Sequence, residues 1–222
     1  MNVGTNLCEL NKRISRACQR AGRSPTGITI VAVTKTVEVP AIKAAFKAGI
    51  RHFGENRVQE ARGKIEQLAD LRPDITWHMI GHLQSNKARA AVDMFDMIHS
   101  IDSIRLAEEV SRRAQTAVPI LLQVNIASEV TKSGLPPSGV IQAVERISRL
   151  PRLDIKGLMT IAPLTDDPED VRPVFQQLRL LRDSLGLEHL SMGMTDDFEV
   201  AIEEGATMLR IGRAIFGERN TN

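Results

Sequence analysis

Tyrosine is absent from this 222-residue chain, tryptophan occurs once, and aromatic residues together make up 3%. No phenol is therefore available as a catalytic acid or base, which removes one whole class of proton-transfer chemistry. Cysteine is nearly as scarce. Cys8 and Cys18 lie near the N-terminus with no His or Cys neighbour at metal-ligand spacing, so neither a disulfide framework nor a metal site is indicated. No apolar run approaches the roughly 20 residues that cross a bilayer, and no signal-type apolar stretch opens the chain. A soluble, cytoplasmic protein with no membrane partner is expected. Charge of one sign is missing too: 29 basic residues face 27 acidic ones, a formal net charge of +2, so no global field argues for nucleic acid. The basic cluster from Arg146 to Arg152 alternates with apolar residues as a solvated helix face does.

What is present is alternation. The segment from about Thr5 to Ala21 carries Leu7, Leu10, Ile14 and Ala17 at near-helical spacing and stops at Gly22 and Pro25, which predicts an amphipathic N-terminal helix. A β-branched run, Ile28 to Lys35, then reads as a strand buried on both faces. Seven more strand candidates follow: His52–Gly54, Ile75–Gly81, Met97–Ser100, Pro119–Asn125, Ile155–Thr160, His189–Gly193 and Thr207–Gly212. Helices are expected between them over about 39–48, 57–69, 85–92, 104–116, 138–150, 168–185 and 196–204. Eight strands in strict alternation with helices, in a chain of this length, fit a closed (β/α)8 barrel better than an open doubly wound sheet. No Gly-x-Gly-x-x-Gly follows the first strand, which argues against dinucleotide binding. A single domain over 1–222, with its core at about 28–217, is expected.

In such a barrel the chemistry sits where strands end. The first strand ends on Lys35, which shares a face with Val33 and Val31; an amine directed into a core is depressed in pKa or covalently engaged. The second leads into Gly54-Glu55-Asn56, the third carries His78 and Gly81, the fifth ends on Gln123 and Asn125, and the sixth on Met159-Thr160. The seventh and eighth end on Ser191-Met192-Gly193 and Arg210-Ile211-Gly212. Ser191, Gly193, Thr195 and Gly212 are small or hydroxylic, as an anion held by backbone N–H groups requires. Arg210, set in an apolar strand, cannot discharge and needs an acceptor. One ligand would satisfy all three features: a phosphate for the turns, an aldehyde for Lys35 and a ring nitrogen for Arg210. Pyridoxal phosphate (PLP) has each.

Longer segments sharpen this. Val31-Ala32-Val33-Thr34-Lys35, His52-Phe53-Gly54-Glu55-Asn56, the stretch Trp77 to Lys87, Leu158-Met159-Thr160, Leu190 to Met194 and Gly205 to Gly217 resemble the signature segments of the YggS/PROSC family of pyridoxal phosphate homeostasis proteins. The resemblance covers about Ile28 to Gly217. It implies a fold-type III PLP barrel related to the N-terminal domain of alanine racemase, with Lys35 as the Schiff-base lysine and Asn56 near the cofactor. It also implies Ser191 and the Gly193 and Gly212 turns around the phosphate, and Arg210 toward the pyridine nitrogen. His78, Met192, Thr195 and Ile211 complete the expected cofactor-binding set. Thr34 stands where the family often has Ser, and Thr195-Asp196-Asp197 where it often has Ser-Gly-Asp.

An Arg beside the ring nitrogen weakens the electron sink that PLP enzymes exploit. Racemisation would further need two bases on opposite faces. Lys35 supplies one, there is no Tyr for the other, and the chain has no length for the second domain that closes barrel-type racemases. His78 or His82 is the substitute a racemase-like alternative requires. A third reading, a class I aldolase, fits poorly because Lys156 lies in mid-strand. The expectation is therefore a PLP carrier, acting as a monomer, that serves intracellular PLP and amino-acid balance by holding the cofactor and passing it to apo forms of PLP-dependent enzymes.

Overall fold

In the computed structural model, residues 2–127, 129 and 133–218 are described. Eight parallel strands close in chain order into a barrel. They are β1 (Thr29–Val33), β2 (His52–Glu55), β3 (Thr76–Met79), β4 (Met97–Ile101), β5 (Val118–Gln123), β6 (Leu153–Met159), β7 (His189–Ser191) and β8 (Met208–Ile211). The helices are α1 (Val3–Arg20), α2 (Val39–Lys47), α3 (Val58–Gln67), α4 (Ala88–Met94), α5 (Ile104–Arg113), α6 (Val140–Ile147), α7 (Arg172–Ser184), α8 (Phe198–Glu203) and α9 (Arg213–Phe216). The expected (β/α)8 architecture and the extra N-terminal helix are both found.

Helix α1 forms where its apolar spacing places it. Asn2 caps its start by accepting from the Gly4 N–H, and Gly22, at φ 63°, supplies the left-handed residue that turns the chain away. Its apolar stripe, Leu7, Leu10, Ile14, Ala17 and Cys18, is buried against α2, α8 and α9. Burying each leucine or isoleucine stabilises the fold by about 2 kcal/mol, and Arg23 fastens the exit by donating to the carbonyls of Ile202 and Ala206. Cys8 is exposed, Cys18 is buried, and both are free thiols.

Three boundaries differ from the sequence expectation. β1 ends at Val33, so Lys35 stands in the turn after the strand rather than on it, because Thr36 adopts φ 61° and breaks the extended path. The helix expected over 85–92 is a single 3-10 turn at Ser85–Lys87 followed by α4, and Pro168–Val171 likewise forms a 3-10 turn before α7. Short 3-10 turns of this kind are common at helix starts, and Asp167 caps the second by accepting from the Glu169 N–H.

Period-two alternation sorts the strand residues. On β3, Trp77 and Met79 join the main core between barrel and helices, while on β5 and β8 Leu121 and Met208 face inward to meet Met159 and Met97 in a small apolar layer inside the barrel. The same parity turns His78, Ser191 and Arg210 inward. Barrel closure pairs Val31 with Arg210 and Ala32 with Ile211, bringing the first and last strands together at the end where Lys35 emerges, while Val33 pairs with Gly54 on β2.

Candidate functional site

Lys35 is half-buried at the C-terminal end of β1, and the backbone on both sides of it is clamped. The Lys64 ammonium, from α3, donates to the carbonyl of Thr34 at 2.5 Å, to Glu55 Oε1 at 2.8 Å and to Glu60 Oε1 at 2.6 Å. Glu60 in turn accepts from the Thr36 N–H at 2.5 Å, and the Thr34 hydroxyl donates to Glu55 Oε1 at 2.5 Å. Glu55 is fully buried, and burial pushes its carboxyl above the usual range against the pull of Lys64 and Thr34. Thr36, a β-branched residue at positive φ, is strained by about 1 kcal/mol or more, and persists because these bonds hold its peptide neighbours.

On the neighbouring strand β8, Arg210 is 5% exposed. Its Nη1 donates to Ser191 Oγ at 2.7 Å and its Nη2 to the Thr160 carbonyl at 2.8 Å. Burial lowers its pKa to about 10, partly offset by Asp197, so the guanidinium is charged at neutral pH. Two of five N–H donors are spent on these partners, leaving capacity for an acceptor. Burial raises the Asp197 carboxyl, while the Met194 N–H that donates to it and the charge of Arg210 favour its ionised form.

The turn after β7 is compact. Gly193 has φ 90°, and a Cβ there would stand 2.6 Å from the Ala201 Cβ, so only glycine lets the chain pass this close to α8. Its carbonyl accepts from the Arg210 N–H, and the Thr195 hydroxyl accepts from the Ala214 N–H at 3.4 Å, tying the β7 and β8 turns together. Arg213 pairs with Asp196 at the rim. Ser191, Met192, Gly193, Thr195, Arg210, Ile211 and Gly212 thus belong to one neighbourhood formed by the ends of β7 and β8. Met192 and Ile211 are fully buried there among apolar side chains.

Asn56 follows β2 at the same end of the barrel. Its Oδ1 is buried with no hydrogen-bond partner among the described residues, and Gly81 lets the two turns meet, since a Cβ on it would fall 2.3 Å from the Asn56 carbonyl oxygen. A hollow of about 570 Å3 at this end is lined by Asn56, Arg57, Gly81, His82 and Lys87, among others. It includes only Asn56 of the expected cofactor-binding residues.

His78 lies elsewhere than at the mouth. It is 1% exposed inside the barrel, with Nε2 3.0 Å from His52 Nδ1 and Nδ1 2.9 Å from His99 Nε2. Burial depresses its pKa to about 3. His82 stands exposed, with its Nδ1 3.2 Å from Asp102 Oδ2 and 3.3 Å from the Ser133 hydroxyl. Gln123 donates to the Ser133 carbonyl and Lys156 pairs with Asp154 on the outside. Sequence reasoning missed Thr160 as an acceptor for Arg210, the clamp of Glu55, Glu60 and Lys64, and His99. Strand parity marks His99 as inward-facing; nothing in the local sequence marks Lys64. No group of three or more potential metal ligands occurs among the described residues.

Comparison with known proteins gives the chain's family and fold. The model of the alanine racemase N-terminal domain matches residues 5–220. The pyridoxal phosphate homeostasis protein of Aquifex aeolicus is 44% identical, covering 99% of both chains, and that of Pseudomonas aeruginosa is 42% identical over 98% of this chain and 96% of that one. Among solved structures, PipY of Synechococcus elongatus with PLP bound superposes with a TM-score of 0.85 at 39% identity, over 97% of this chain and 100% of that one. An alanine racemase of Clostridium difficile shares the fold, with a TM-score of 0.73 at 15% identity over 58% of its length. With its closed parallel barrel and near full-length identity to these relatives, the chain belongs to the pyridoxal phosphate homeostasis protein family, within the alanine racemase N-terminal domain fold.

Proposed function

We propose that this protein binds pyridoxal 5′-phosphate at the C-terminal mouth of the barrel, with Lys35 as its covalent anchor, and works as a reversible holder of the cofactor in PLP homeostasis and amino-acid balance. The observation that carries this reading is Arg210: a buried, charged, donor-only group at a strand end, with N–H capacity left over, beside a glycine turn and on the strand next to the one that leads into Lys35. The residues fit the group. Arg210 offers a donor to the ring nitrogen, and Ser191, Gly193, Thr195 and Gly212 form the phosphate turns. Asn56 has an orphaned acceptor for a polar ring substituent. Met192 and Ile211 pack beneath these turns, and His78 acts from the barrel interior. When bound, PLP supplies an aldehyde and an electron-withdrawing ring.

The chain's own residues favour holding over turnover. The clamp at Thr34 and Thr36 fixes the backbone around Lys35. A donor-only guanidinium at the ring nitrogen keeps a proton off it. A second base for racemisation is poorly placed: both ring nitrogens of His78 are engaged by other histidines, and His82 stands in solvent beside Asp102. Delivery to apo PLP-dependent enzymes, a monomeric state and a cytoplasmic location belong to the same proposal; no helix of the described residues is long and apolar enough to cross a membrane. The test is mass and visible absorbance of protein mixed with PLP, before and after borohydride. Wild type gains a borohydride-fixed cofactor on the Lys35 peptide and Lys35→Ala does not. Label retained on that peptide in Lys35→Ala would remove Lys35 as anchor, and rapid amino-acid racemisation lost in Lys35→Ala would make the protein an enzyme.

A further inference from the structure

Five side chains from five strands form one continuous line through the barrel interior. It starts at the floor, where His52 opens β2 and is half-buried. His52 Nδ1 lies 3.0 Å from His78 Nε2 on β3, and His78 Nδ1 lies 2.9 Å from His99 Nε2 on β4. His99 Nδ1 is 2.9 Å from Ser191 Oγ at the end of β7, and that oxygen accepts from Arg210 Nη1 on β8 at 2.7 Å. His99 is fully buried and His78 nearly so.

Donor counting allows one polarity. A guanidinium only donates, so at Arg210 the Ser191 oxygen is an acceptor and its single hydrogen is free for the other side. Among the described residues that other side is His99 Nδ1 alone. If Ser191 donates there, His99 carries its proton on Nε2 and donates to His78 Nδ1. His78 then carries its proton on Nε2 and donates to His52 Nδ1, which leaves the His52 Nε2–H at the floor. Opposite polarity would aim three Nδ1–H groups toward the mouth and leave the Ser191 hydrogen without an acceptor in a dry interior, which is costly. Both inner rings must also be neutral, in keeping with their burial and with the neighbouring charge of Arg210 and the facing rings of His52 and His189.

We propose that His78 and His99 are positioning residues for the cofactor ring: through Ser191 they form a one-way chain of Nε2–H tautomers that holds the Arg210 guanidinium in a single orientation. This rests on the PLP reading above, since it gives Arg210 its ligand. Ser191 then does two things at once, accepting from Arg210 and donating down the chain, and removing His99 would leave its hydroxyl free to rotate away from the guanidinium.

The first arm of the test needs no cofactor. Long-range proton–nitrogen correlation on protein labelled with 15N at histidine, at pH 7.5, is expected to show His78 and His99 neutral and protonated on Nε2. Either ring found as Nδ1–H or as imidazolium overturns the chain. The second arm is PLP affinity and the absorption band of bound PLP in His99→Leu and His99→Asn. Asn places a carbonyl near the Nδ1 position and can still accept from Ser191; Leu cannot. His99→Leu is expected to bind about tenfold more weakly with a displaced band, and His99→Asn within about threefold of wild type with the band kept. Equal losses in both variants, or none in His99→Leu, would overturn the positioning role. Failure of wild type to bind PLP would instead strike the functional reading, and leaves the tautomer pattern to be judged by the first arm.

Discussion

Two ionic networks in this molecule use the same residue types and do different work. One is the buried clamp behind Lys35, where Lys64 meets Glu55 and Glu60 with side-chain exposures of 11%, 0% and 28%. The other is the lattice on the outside, where Arg172 on α7 reaches Glu169, Glu203 and Glu204, while Arg13 and Arg20 on α1 reach Glu199 and Glu203 on α8. In the clamp, water is excluded from Glu55, the ammonium also satisfies a backbone carbonyl, and the buried charge depends on its partner. On the outside the arginines are about a third to a half exposed, so solvent weakens their pairs even where a partner such as Glu204 is nearly buried, and the lattice gains mainly from having several members. The difference teaches that position in the fold, more than the number of ion pairs, decides whether charges set a functional geometry or only fasten helices to one another.

The largest effect should come from breaking the clamp. Lys64→Met leaves Glu55 buried without its cation and is expected to cost about 3 kcal/mol of stability at pH 8, read from urea unfolding. The cost should shrink at pH 5, because Glu55 already has a raised pKa and can take up a proton. An equal cost at both pH values would mean that Glu55 is not charged in the native protein, which would put the clamp on the same footing as a neutral hydrogen-bond network.

Between these extremes stand the interior histidines, polar groups kept neutral by burial. The ordinary His value of 6.5 applies to the unfolded chain, and His78 is depressed to about 3 in the fold. Below pH 6.5 the unfolded state therefore binds a proton that the native state refuses at this site. The stability attached to His78 is intact above pH 6.5 and is lost as pH falls toward about 3. His78→Leu should reduce the slope of unfolding free energy against pH, between 6.5 and 4.5, by about 1.4 kcal/mol per pH unit. An unchanged slope would show that His78 titrates alike in both states. The smallest effect belongs to the surface: Arg172→Ala should cost only about 1 kcal/mol, and less in 1 M salt. A cost as large as that of Lys64→Met would erase the distinction between the two networks.

Much of the barrel could be read from the chain because each βα unit announces itself locally. Apolar runs of strand length are followed by amphipathic stretches, some closed by glycine as at Gly49, Gly186 and Gly205, and all eight strands appear near their expected places. The strand ends also gave Ser191, Gly193 and Arg210 as neighbours, since a closed parallel barrel collects such ends on one face. Lys35 was misplaced by two residues because the positive φ of Thr36 leaves no trace in hydropathy.

Sequence by itself determined the alternation, the apolar stripe of α1 and the identity of the residues at the strand ends, all of which depend on spacing within a single element. Only the tertiary structure decided that His52, His78 and His99 form a line, and that Lys64 supports the backbone beside Lys35. In a parallel barrel, lateral neighbours are separated by a whole helix of intervening chain, so their register is set by closure of the sheet. A histidine at the floor of one strand and one in the middle of the next look alike in sequence; cross-strand register places one ring against the other.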